Sequence, residues 1–69
     1  MRLSTRNQLD GTVAAVTLGT VMASIKVELA GGQTVTAAIT RESADELGFA
    51  DGDKVTVLVK ATEVMLGKE

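Results

Sequence analysis

Sixty-nine residues make one small domain with a thin core. The chain has no Cys and no His, which excludes a disulfide framework, a thiolate metal site and the commonest general base. A net charge of -2 and a single aromatic, Phe49, leave neither the basic field nor the stacking platforms of a nucleic-acid binder.

The first strand-like run is "TVAAVTL", between Gly11 and Gly19, preceded by the polar stretch "STRNQ", Ser4 to Gln8. Next comes "TVMASIKVELA" with a period of two. Val21, Ala23, Ile25, Val27 and Leu29 take one face, and Met22, Ser24, Lys26 and Glu28 the other. Gly31 and Gly32 read as a two-residue hairpin turn, where positive φ costs little. "QTVTAAI" returns with Val35, Ala37 and Ile39 inward.

"TRESADELGF" changes character and predicts a helix of about two turns. Thr40 is its N-cap, Glu42 lies in its first turn, Leu47 and Phe49 face the core, and Gly48 is the stop. As N-cap, the Thr40 hydroxyl accepts from the N–H of residue 42 or 43 and keeps its own hydrogen free. "DGD" at 51–53 is a turn, "KVTVLVKA" a strand with Val55, Val57 and Val59 inward, and "EVML" a last short strand. Five short strands with one helix between the third and fourth predict an all-β, five-stranded Greek-key barrel of the OB type. Val13, Met22, Leu58 and Met65 cannot all hide inside so small a barrel. With no covalent staple, that excess predicts a subunit interface.

No run reaches the ~20 apolar residues of a membrane span, and no signal peptide opens the chain. The expected address is the cytoplasm, with no membrane partner. Catalysis is not expected, since there is no Ser/His/Asp set, Cys nucleophile or glycine-rich phosphate loop. Asp51 and Asp53 read as turn residues, not metal ligands, and Arg41 and Lys54 fall on faces read as solvated.

What remains is a set of donors. Arg6 sits among Ser4, Thr5, Asn7 and Gln8; Thr40 and Ser43 lie three apart at the helix start; Lys60 ends a strand of valines before Ala61 and Thr62. Cations, hydroxyls and backbone N–H groups are what an oxyanion needs. Each residue also has an ordinary reading: Thr40 as a cap, Ser43 as a first-turn residue, Lys60 and Arg6 as surface cations. Composition and spacing leave both readings open.

"STRNQLDGTV" resembles the opening of the molbindins, or Mop domains, small molybdate-binding proteins whose usual form is Ser-Ala-Arg-Asn-Gln-Leu-x-Gly. The likeness continues through "LGTVMASIKVEL", "GGQTVTAAITRESADELGF" and "DGDKVTVLVKATEVMLG", nearly the whole chain, and implies that residues 1–69 form one such domain. It implies a homo-oligomer, a hexamer built as a trimer of dimers, with molybdate or tungstate between subunits and no further cofactor. Carried over residue by residue, the oxyanion ligands would be Ser4, Arg6, Thr40, Ser43 and Lys60, with a backbone N–H at Ala61. Thr5 replaces the usual Ala. Met22 stands where many members have Asn, near a second class of site at the symmetry axes. The function implied is binding, storage or buffering of molybdate by a free-standing oligomer. The alternatives are an oxyanion-sensing module of a regulator or transporter and, against the charge, a nucleic-acid-binding OB domain.

Overall fold

A computed structural model describes residues Met1–Glu69. Its elements are β1 (Asn7–Leu18), β2 (Met22–Leu29), β3 (Thr34–Thr40), α1 (Arg41–Leu47), β4 (Lys54–Val59) and a 3-10 turn (Ala61–Glu63). The strands form one antiparallel sheet in the order β3-β2-β1-β4. Three consecutive strands with the fourth returning beside the first is Greek-key order. The all-β, OB-like architecture with one helix between the third and fourth strands is therefore present.

The fifth strand is not. "EVML" enters the 3-10 turn at Glu63 and continues without a ladder partner, with Met65 and Leu66 exposed. An apolar run becomes a strand only where another strand's N–H and C=O groups are available, and one chain offers this tail none.

β1 is longer than "TVAAVTL" because Asn7 to Asp10 pair with Val59 to Thr56 of β4. It also carries a bulge. The β2 register shifts between Val13 and Ala15, so the inward phase moves from Val13 to Val16. Val13, expected on the surplus face, is instead among the most buried side chains at 2% exposure. Val13, Ile25 and Val27 form the core, with Val16, Leu29, Ala37, Ile39, Phe49, Val55 and Val57 packed around them. Gly11 faces this cluster; a Cβ there would collide with Val27 Cγ1 and lie 3.0 Å from the Glu28 carbonyl oxygen. Met22, Leu58 and Met65 remain exposed, as expected. Leu47, expected inward, is 69% exposed.

The β2–β3 turn is one residue longer than expected. Gly32 N–H donates to Leu29 O and Leu29 N–H to Gln33 O, closing a three-residue loop over Ala30–Gly32. Of the two glycines only Gly32 has positive φ, at 86°. That is a type I turn followed by a left-handed residue, which the strand twist accepts as readily as a two-residue turn.

Candidate oxyanion site

The helix start is built as its sequence implies. Thr40 is extended (φ -69°, ψ 149°), and its Oγ1 accepts from Ser43 N–H at 3.1 Å. At the other end Gly48 is left-handed, and its N–H donates to Ala44 O. The expected free hydrogen on Thr40 is not free: Thr40 Oγ1 donates to Ser43 Oγ at 2.8 Å. The hydroxyl that keeps a hydrogen for an outside acceptor is therefore that of Ser43. The cap oxygen takes Ser43 N–H, its proton goes to the nearest oxygen, and the free donor moves three residues along, from Thr40 to Ser43.

The "STRNQ" stretch is tied down in part. Asn7 Nδ2 donates to Val59 O at 3.1 Å, and Gln8 Nε2 to Thr5 O at 2.8 Å. Their amides serve the fold. Ser4 and Arg6 lie ahead of the strand, and both are exposed. Because Asn7 pairs with Val59, Arg6 and Lys60 leave neighbouring strand ends side by side. Neither side chain forms a hydrogen bond or ion pair within the chain; the single ion pair is Arg41–Asp45. Ala61 opens the 3-10 turn, so its N–H has no carbonyl within that turn to bond.

Topology divides the six expected residues into two sets. Ser4, Arg6, Lys60 and Ala61 gather where β1 begins and β4 ends. Thr40 pairs with Met22, beside the far end of β1, where Leu18 pairs with Ala23. The 12 residues of β1 separate the sets by a contour length of ~36 Å. The helix packs on β2 and β3, away from Lys60. One chain therefore brings four of the six together and leaves Thr40 and Ser43 apart. The main surface grooves lie near Gly11 and Lys54 and include none of the six.

Arg41 is not the solvated residue its sequence position suggested. It is half-buried; its Nε donates to both oxygens of Asp45 at 3.1 and 3.2 Å and its Nη1 to Gly19 O at 3.1 Å. The Arg-x-x-x-Asp spacing signals the first contact, but nothing in the sequence signals the second, which joins residues 22 apart. Lys54 donates to Thr12 Oγ1 at 3.0 Å.

Residues 3–66 match the model of the TOBE domain. Molybdenum-pterin-binding protein 3 of Clostridium pasteurianum is 44% identical over 66 residues, covering 96% of this chain and 97% of that protein. Molybdenum-pterin-binding protein MopA of Rhodobacter capsulatus is 50% identical over 66 residues, covering 96% of this chain but 25% of that longer protein. The high-resolution structure of a molybdate-binding protein from Sporomusa ovata has a TM-score of 0.92 and 47% identity, covering 99% of this chain and 100% of that one. With matches of this extent in sequence and in fold, the chain belongs to the TOBE-domain family, in its molbindin (Mop) group.

Proposed function

We propose that this protein binds molybdate or tungstate and stores or buffers it in the cytoplasm, at sites shared between protomers of a homo-oligomer. The observation that carries the reading is the pair Arg6 and Lys60, adjacent and without counter-charge in their own chain. Molybdate is a dianion that only accepts hydrogen bonds. Two cations match its charge, while the Ser4 and Ser43 hydroxyls and the Ala61 N–H fill its remaining lone pairs. Each charge-assisted bond contributes about 1.5–3 kcal/mol, so several offset the desolvation of a dianion. Hydrogen phosphate would bring an O–H that Arg6, Lys60 and the Ala61 N–H cannot accept; unless a serine hydroxyl turns from donating to accepting, burying it costs ~1–3 kcal/mol. Sulfate carries the same charge with no proton, so size alone distinguishes it. The role is binding rather than catalysis, in line with the names of the relatives.

Assembly supplies what one chain lacks. With Thr40 and Ser43 at the wrong end of their own β1, a second protomer must bring them to Arg6 and Lys60. Surface area supports this. A monomer of 7.1 kDa is expected to expose ~4,100 Å². This chain exposes 5564 Å², and Val21, Met22, Leu58, Met65 and Leu66 are among its exposed apolar side chains. The excess of ~1,500 Å² approaches two standard partner faces of ~800 Å² each. A hexamer arranged as a trimer of dimers is the assembly proposed.

Calorimetric titration with molybdate, tungstate, sulfate and phosphate, paired with light scattering, tests the whole reading. Strong heats for the first two on a particle several times 7.1 kDa are expected. A monomer, or equal affinity for phosphate, would overturn it. A second reading, an oxyanion-sensing module, is favoured by one observation: in Rhodobacter capsulatus the matching segment is a quarter of a longer protein. A fused partner whose activity follows molybdate concentration would establish it.

A further inference from the structure

We infer that Arg41 is a positioning residue for the anion site, latching the β1–β2 turn to the helix start so that Thr40 and Ser43 hold one orientation. The inference rests on the reading that this hydroxyl pair meets the anion. Three bonds make the latch. Arg41 N–H donates to Val21 O at 2.8 Å, Arg41 Nη1 to Gly19 O at 3.1 Å, and Gly19 N–H to Met22 O at 2.8 Å. Met22 is in turn the ladder partner of Thr40. The residue after Thr40 and the residue beside it are thus fastened to one turn.

Asp45 completes the arrangement. One helical turn on, its carboxylate receives Nε and sets the guanidinium plane, so that Nη1 points at Gly19 O. The same carboxylate neutralises Arg41, which removes it as a counter-charge for an anion. The pair is too exposed, at 38% and 59%, to contribute much stability as an ion pair. Its effect is geometric. It selects where the turn sits against the helix, and therefore where the free hydroxyl hydrogen of Ser43 aims. A shift of a few tenths of an ångström there misaligns a hydrogen bond to a rigid tetrahedral ligand.

Position and charge make opposite predictions, and molybdate titration of three full-length variants separates them. Asp45→Asn leaves Arg41 cationic but unfastened. A positioning role weakens molybdate binding, by about fivefold, the size of one hydrogen bond. A charge role tightens it, because a neutralised cation is released near a dianion. Arg41→Lys keeps the charge and loses the planar fork; it is expected to weaken binding as much as Arg41→Leu does. Thermal midpoints of the anion-free variants run beside the titrations, since a merely structural role lowers the midpoint and leaves affinity unchanged. Tighter binding by Asp45→Asn, or parental affinity in Arg41→Lys, overturns the inference. Arg6→Ala is measured in the same series. If it binds like the parent, the site itself is misassigned; if it alone weakens binding, the site stands and the latch falls. Should the Arg41 variants fail to fold, Asp45→Asn, on an exposed helix face, decides by its sign.

Discussion

If the halves of the site come from different protomers, two inactive variants should restore each other when mixed. Arg6→Ala/Lys60→Ala removes both cations from the end of β1 and β4 and leaves a dianion with no counter-charge. Ser43→Asp places a carboxylate where the free hydroxyl was. At ~4 Å and an effective dielectric of ~20, one charge against a dianion costs ~8 kcal/mol, enough to abolish binding. Folding should survive, because an acid in the first helical turn suits the helix dipole. In oligomers refolded from an equal mixture, each site draws its cationic half and its hydroxyl half from different chains. Each half is intact half the time, so about a quarter of the sites are whole. Calorimetric stoichiometry reads this directly: no sites in either pure variant, about one quarter of the parental number in the mixture. Native mass spectrometry establishes that mixed oligomers formed. Mixed oligomers without any tight sites would mean that both halves lie in one chain, and the reasoning from strand topology would be wrong.

Val13→Ala removes two carbons from a fully enclosed position and should destabilise by about 2–3 kcal/mol, transfer and cavity together. With no Trp or Tyr to report, urea unfolding followed by circular dichroism at fixed protomer concentration measures it; a loss under ~1 kcal/mol would deny Val13 its place at the core centre. Thr40→Ala forfeits the bond from Ser43 N–H and should lower the stability of anion-free protein by ~1 kcal/mol, as well as molybdate affinity. Unchanged stability would mean the cap is idle. Because the chain holds no His, molybdate affinity should be flat from about pH 6 to 7. A bell-shaped profile would reveal a titrating ligand and refute the residue set proposed for the site.

The legible parts of the fold are those set by neighbours in sequence. The alternation of β2 appears in the structure residue for residue from Ala23 to Val27, and Thr40 and Gly48 cap the helix as their residue types imply. What escaped depends on contacts across the sheet. The bulge after Val13 inverts the phase of β1, and no local pattern marks it, because Ala14 and Ala15 are equally plausible on either face. "EVML" has strand composition but no partner in one chain. The residue types at the site were legible as donors, whereas their division between opposite ends of β1 follows only from strand order. Arg41 was misread because its second partner, Gly19 O, lies on the other side of a turn.

The sheet is also unequal in how it can open. β2 is paired on both sides from Ala23 to Glu28, to β1 and β3, while β3 is bonded to β2 alone and continues directly into α1. Releasing β2 breaks two ladders, whereas releasing β3 with its helix breaks one and unfastens the Arg41–Gly19 contact. Thr40 and Ser43 thus ride on a segment with a lower free energy of local opening than the strand it flanks. An anion that closes onto their hydroxyls raises the opening cost of that segment first. Hydrogen exchange should slow in β3 and α1 on loading while β2, already slow, changes least, so occupancy is written as stiffening along one edge of the sheet.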